Sequence, residues 1–236
     1  MQPQDATFFQ PTQPFDILET RLPHWDQPGA FTFITFRLND SLPKEAVKRW
    51  HHQRDALLRE SGIDPARWLA AQGNRKLRNH TNSETTALLQ HLPPRTASLL
   101  KWKLFLGWDG ELNELHGSCC LRESKASKIV ADGFLKFDRD RYVVAAFAVL
   151  PNHVHILPAF ETEGAMVSQG AAWRKCFARE INKLNNRTGH LWQPDQFDHL
   201  VRSPESFDRV RKYLIDNPFV ANLHAGEYRL YVAADW

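Results

Sequence analysis

Two histidines set one residue apart, His153 and His155, carry the first sign of chemistry in this sequence. They lie in the run Val149-Leu150-Pro151-Asn152-His153-Val154-His155-Ile156-Leu157, which is apolar apart from the histidines and the Pro-Asn pair. In a β-strand alternate side chains share a face, so the two imidazoles point one way while Val154 and Ile156 point the other. Two adjacent imidazoles are half a metal site. Their nitrogens ligate zinc, manganese, iron and copper well and magnesium less readily, so the pair alone does not name the ion. The pair equally fits the polar face of an edge strand, and with 11 histidines in the chain an accidental H-x-H spacing is easy to meet.

A second pair, Tyr213 and Asn217, is spaced four residues apart. On a helix that spacing puts a phenol and an amide oxygen on one face, about a turn from each other. Such a helix is expected from Ser203-Pro204-Glu205, with a capping serine, proline at the first helical position and an acid near the positive end of the dipole. It should hold Val210, Tyr213 and Leu214 and stop around Asn217-Pro218. His153, His155 and the Asn217 carbonyl oxygen could hold a divalent cation with positions left for phosphate oxygens, and the Tyr213 oxygen could attack in line. A phenol has a pKa of about 10, so it needs deprotonation or cationic help, which Arg211 or Lys212 could give. Each piece has a plainer account, since a helical tyrosine commonly packs in a core and Asn before Pro commonly ends a helix. A zinc hydrolase built on the two histidines lacks a third ligand at any standard spacing.

Several elements must position these residues. Phe31-Thr32-Phe33-Ile34-Thr35-Phe36-Arg37-Leu38 reads as a central strand with apolar groups on both faces. A helix is expected from Lys44 to about Glu60, then polar, helix-biased sequence from Ile63 to about Gly110, broken at Asp64-Pro65, Gly73-Asn74 and Pro93-Pro94. Trp68, Leu88, Leu89, Leu99, Leu100 and Trp102 are its candidate apolar contacts. Ser124 to Phe137 suits a helix with Ile129, Val130, Phe134 and Leu135 inward. Arg141 to Val149 suits a buried strand that turns at Pro151-Asn152 into the histidine strand, an antiparallel pair because the connection is so short. A long amphipathic stretch from Gly164 to about Leu184 and a return strand from Gln196 to Val201 complete the pattern.

At 236 residues, with 42% hydrophobic and 24% charged residues, the chain is long enough for one well-cored domain with an insertion. Residues 1–20, rich in Gln, Pro and Thr, read as a flexible N-terminal arm, and 21–236 as a single domain with a helical insertion at about 44–114. No apolar run approaches the ~18 residues of a membrane span, and Met1-Gln2-Pro3-Gln4-Asp5 lacks a secretory pattern, so a cytoplasmic protein is expected. Cys119, Cys120 and Cys176 show no C-x-x-C spacing, which argues against a disulfide framework or a cysteine zinc site. Net charge is only +3, yet between Trp173 and Lys212 nine basic residues stand against five acidic ones. Arg174, Lys175, Arg179 and Arg202 are the candidates for phosphate contact, and Trp192 reads either as a stacking platform for an unpaired base or as core. Asp198 and His199 could orient neighbouring groups or touch nucleic acid.

Leu150-Pro151-Asn152-His153-Val154-His155-Ile156-Leu157 resembles the "MPNHVHLL" signature of the HUH single-tyrosine transposases, with Leu150 in place of methionine. Three further stretches are similar to the REP-associated tyrosine transposase branch. Gly29 to Phe36 resembles its "GxxYFVTF", with Phe31-Thr32 departing slightly. Gly189-His190-Leu191-Trp192-Gln193 with Phe197-Asp198-His199-Leu200-Val201-Arg202 resembles "GxxWQ...YYDHxVR", and Tyr213-Leu214-Ile215-Asp216-Asn217-Pro218 resembles "YIxxNP". The resemblance spans Arg21 to Leu38 and Gly117 to about Tyr231. It implies a ferredoxin-like α+β fold with an antiparallel sheet, Tyr213 as nucleophile, and His153, His155 and Asn217 as ligands of Mg2+ or Mn2+. It also implies single-stranded DNA cut at or near a repeated palindromic hairpin through a covalent 5′-phosphotyrosine. Gln193 and His199 are further candidate nucleic-acid contacts, and a monomer or homodimer is expected. The alternative from another class is a host-adopted protein that binds the hairpin without cutting it.

Overall fold

A computed structural model describes residues 1–19, 23–73 and 84–236. The expected boundary of the N-terminal arm at 20–21 and the break at Asn74 fall outside those residues. The chain divides into two compact units, residues 1–41 with 115–236, and residues 42–114.

The first unit is α+β, built on a five-stranded antiparallel sheet. Its strands are β3 (Thr32–Arg37), β4 (Tyr142–Val149), β5 (His153–Phe160), β6 (Phe197–Leu200) and β7 (Arg229–Val232), following a small hairpin of β1 (Asp16–Glu19) and β2 (Pro23–Asp26). Across the sheet they run β6-β3-β5-β4-β7, every neighbouring pair antiparallel. With helices α5 (Ser124–Leu135) and α6 (Ala165–Leu184), the path β3-α5-β4-β5-α6-β6 is the split βαβ arrangement of ferredoxin-like folds, and β7 extends it at one edge. Pro151 and Asn152 make the turn between β4 and β5, closed by the Leu150 N–H on the His153 carbonyl at 2.9 Å.

Both helices pack on one face of this sheet. Ala126, Val130 and Phe134 of α5 and Met166, Trp173, Phe177 and Ile181 of α6 meet Ile34, Phe36, Val154 and Ile156 in one apolar core. A register shift between Val144 and Ala146 lets Val144 and Phe147, three apart, join the same core. Gly133 lets α5 and α6 approach closely, since a Cβ there would collide with Phe177 Cε1.

A last helix, α7 (Pro204–Val220), lies against β4 and β5. Ser203 caps it by accepting from the Ser206 N–H at 3.2 Å. The helix does not stop at Asn217-Pro218 as the sequence suggested. Proline at this depth forfeits one backbone bond near the end, and the terminus is closed instead by the Ala221 N–H on the Asn217 carbonyl and the Leu223 N–H on the Pro218 carbonyl.

The N-terminal segment, expected as a flexible arm, is tied down where it is described. Thr7 exchanges backbone bonds with Gly29 and Phe31, the Phe9 N–H reaches the Val201 carbonyl, and Phe9 is buried with Ala30 and Leu200. The strand β7 and the β1–β2 hairpin were not foreseen.

The second unit contains α1 (Lys44–Glu60), α2 (Pro65–Gly73), α3 (Glu84–Leu89) and α4 (Pro94–Asn113). Leu58, Ile63, Trp68, Leu89 and Leu100 form its core, and Arg49 pairs with Glu111. Leu99, expected as an apolar contact, is exposed.

Candidate functional site

Alternation along β3 and β5 separates two faces. Ile34, Phe36, Val154 and Ile156 enter the core, so Phe33, Thr35, Arg37, His153 and His155 face the other way. The register sets Thr35 opposite His155 and Arg37 opposite His153. The two imidazoles are neighbours, with ring centroids 4.7 Å apart and planes at 76°.

Each imidazole is oriented through its Nδ1. The Asn152 amide donates to the His116 carbonyl at 3.2 Å, which turns its oxygen toward His153. His153 Nδ1 therefore donates to Asn152 Oδ1 at 2.7 Å, and in the neutral ring Nε2 carries the lone pair. His155 Nδ1 shares a 2.8 Å hydrogen bond with Thr35 Oγ1. This is how ligating histidines are commonly held, with one nitrogen fixed by the protein and the other presented to a cation. Two neighbouring imidazoles offer nitrogen donors of the kind a divalent transition-metal ion takes.

Helix α7 brings Tyr213 to the same face. Its ring centroid is 5.5 Å from that of His155 and 5.9 Å from that of Phe33, edge-on to both. Phe33 in turn stacks on His155 at 5.1 Å. Tyr213 is half-buried, and Asn217, one turn further along α7, is buried. Tyr142 is a different kind of tyrosine. Its hydroxyl donates to the Phe134 carbonyl at 2.9 Å, and burial pushes its pKa up to about 12.

The remaining candidates divide between locations. His199 is set opposite Phe33 in the β3–β6 register and so shares the histidine face. The Gln193 N–H donates to the Arg37 carbonyl at 2.8 Å, which brings residue 193 to the end of β3. Arg174, Lys175 and Arg179 belong to α6, which packs on the opposite face of the sheet, so the structure does not gather them beside the histidines. Arg174 donates to the Pro194 carbonyl, Arg179 pairs with Glu180, and Lys175 is exposed. Arg202 is exposed and lies over the Phe9 ring at 5.6 Å. Trp192 is no stacking platform. It is buried in the core against Phe36 and Phe177, and its backbone bridges Leu38 just past the end of β3.

Sequence reasoning passed over Phe33, Thr35 and Asn152, which orient the site, and assigned no role to Arg37. The signal was there in Thr35 and Arg37, two polar residues on alternate positions, on the face of the strand opposite Ile34 and Phe36.

Asp198 does not face the histidine pair. It hydrogen-bonds His24 Nδ1, while Asp195 meets His24 Nε2 at 3.0 Å. Burial raises the Asp198 pKa. At His24 burial disfavours the charged ring, but the Asp198 hydrogen bond and the two carboxylate charges outweigh it and the pKa rises.

No helix among the described residues is long and apolar enough to cross a membrane. No protein-family model and no curated protein matches the sequence. Among solved structures, the chain is similar to a REP-associated tyrosine transposase bound to a REP hairpin, at 15% identity over 82% of this chain and 68% of that one, with a TM-score of 0.40.

Proposed function

We propose that this chain is a metal-dependent single-stranded DNA endonuclease and strand transferase of the HUH single-tyrosine class, acting on repeated palindromic hairpins. The observation that carries this reading is the Tyr213 ring standing 5.5 Å from His155, on the face of the sheet where His153 and His155 are neighbours. In this reading His153, His155 and Asn217 hold Mg2+ or Mn2+. When bound, such a cation polarises the scissile phosphate and offsets charge on the departing oxygen.

The chain's own residues supply the rest. Asn152 and Thr35 hold the two imidazoles in register through Nδ1. Phe33 supports the Tyr213 ring edge-on. The phenol loses its proton to solvent, and Tyr213 Oη forms a bond to phosphorus. The bond to the 3′ oxygen breaks with its electron pair, and that oxygen takes a proton from water. The products are a 5′-phosphotyrosine and a 3′ hydroxyl, and reversal onto another 3′ hydroxyl gives strand transfer. A DNA substrate would place the protein at the nucleoid in the cytoplasm.

The test is to incubate the protein with labelled hairpin DNA and Mn2+, denature, and look for label retained on the protein. Wild type should retain it, Tyr213→Phe should not, and chelation should abolish cleavage while leaving hairpin binding intact. Equal hairpin binding by both proteins with no retained label from either would identify a protein that binds without cutting.

A further inference from the structure

We infer that Arg37 is a further catalytic residue of this site, contacting the scissile phosphate on the side of its leaving oxygen; the inference rests on the reading of Tyr213 as nucleophile. The residues of the reactive face form a row. Phe33, Thr35 and Arg37 follow one another along β3, with His155 beside Thr35 and His153 beside Arg37. The Tyr213 ring meets this row at Phe33 and His155. Arg37 stands at the other end, one step past His155, and two residues of strand cover roughly 7 Å.

That order matters because a phosphoryl group is transferred with the attacking and leaving oxygens roughly in line on opposite sides of phosphorus. A phosphate placed over the histidine pair, with the Tyr213 oxygen on one side, turns its leaving oxygen toward the Arg37 end. Negative charge develops there as the bond to the 3′ oxygen breaks. A guanidinium is always charged, and its planar fork of donors matches a pair of phosphate oxygens as an ammonium cannot. It donates hydrogen bonds to the leaving oxygen and a non-bridging oxygen and gives up no proton. Its backbone is held from both sides, in the β3–β5 ladder opposite His153 and by the Gln193 N–H on its carbonyl at 2.8 Å. Arg37 is buried, so its charge acts with little screening by solvent.

The leaving group itself provides the test. Two labelled hairpins are compared at the bond that wild type cuts, one with the natural 3′ oxygen and one with sulfur bridging at that position. Single-turnover formation of the protein–DNA adduct is followed in Mn2+. A thiolate, with a thiol pKa of about 8.5, departs with far less need of stabilisation than an alkoxide. Arg37→Gln should slow the oxygen substrate ~100-fold, the typical cost of losing a donor to developing charge. On the sulfur substrate its rate should be close to wild type. Equal slowing on both substrates would mark a structural or binding role and overturn the assignment, as would no slowing on either. Should Arg37→Gln fail to fold by near-ultraviolet dichroism, Arg37→Lys carries the same comparison, with the oxygen substrate expected to suffer more than the sulfur one. Absence of an adduct in wild type on both substrates would remove the nucleophile reading and Arg37 with it. An adduct in wild type without a leaving-group-dependent Arg37 effect would remove only the latter.

Discussion

On one face of the five-stranded sheet, Ile34, Phe36, Val154 and Ile156 disappear into an apolar core closed by α5 and α6. On the other, displaced by a single residue along the same strands, stand Thr35, Arg37, His153 and His155, and α7 brings the Tyr213 ring to that face at His155 and Phe33. One strand pair thus supplies both the fold's main hydrophobic anchor and its concentration of polar chemistry. The alternation of the pleat makes that economical, because rigidity achieved on the packed face fixes the geometry of the reactive one. The contrast predicts that substitutions on the helix-covered face are read in stability and those on the other face in activity.

The largest effect on stability is expected at Phe134, fully buried in contact with Phe36, Phe147, Trp173 and Phe177. Phe134→Ala should lower unfolding free energy by about 3–5 kcal/mol in denaturant titration, the usual range for emptying a core aromatic. A loss under 1 kcal/mol would mean that the packed face is not what holds the sheet. Gly133→Ala should follow. Helix propensity alone would favour alanine by ~1 kcal/mol, yet the Phe177 ring stands where the methyl must go. Net destabilisation of about 1–3 kcal/mol is expected from such overpacking, and a gain in stability would show that α5 and α6 can part without loss.

The edge of the sheet sharpens the comparison through pH. His24 is raised above its ordinary value of 6.5 because its carboxylate partners outweigh its burial. The stability it contributes is therefore fully present below pH 6.5 and lost as pH rises through its elevated folded value. The burial-raised carboxyl of Asp198 acts in the same direction, since its ionisation is harder in the folded protein than in the unfolded chain. Melting temperature should fall as pH rises above 6.5 in wild type and fall less in His24→Asn. Parallel profiles would show that the His24 cluster is not titrating in this window. The smallest stability effect belongs to the reactive face. Tyr213→Phe should change unfolding free energy by less than ~0.5 kcal/mol, while removing all adduct formation.

Much of this division was legible in the sequence, where a strong physical signal marked it. The β-branched and aromatic run at Phe31–Leu38 and the two-residue turn at Pro151-Asn152 announced the paired strands. Ser203-Pro204-Glu205 announced the start of α7. Other features gave no local signal. The strand β7 is four residues at an edge, too short for alternation to register, and is held by pairing with β4. Trp192 has the composition of a stacking residue and the position of a core one, and only the tertiary path decides between them. The basic residues of α6 are near the histidines in sequence, but the β5-to-α6 crossover carries them to the opposite side of the sheet. Arg37 and Thr35 were visible as polar residues on one face of the strand, yet their meaning depends on which strand lies opposite.

The most direct test of the central claim is to locate the bond. Wild-type protein is reacted with hairpin DNA in Mn2+, the DNA is trimmed by nuclease, and the protein is digested with trypsin and sequenced by mass spectrometry. The expected result is a nucleotide phosphate on Tyr213, distinguished by fragmentation from Tyr228 on the same peptide. A remnant on Tyr228, Tyr231 or Tyr142, or cleaved DNA with no remnant on any tyrosine, would contradict the assignment of Tyr213 as the residue that attacks phosphorus.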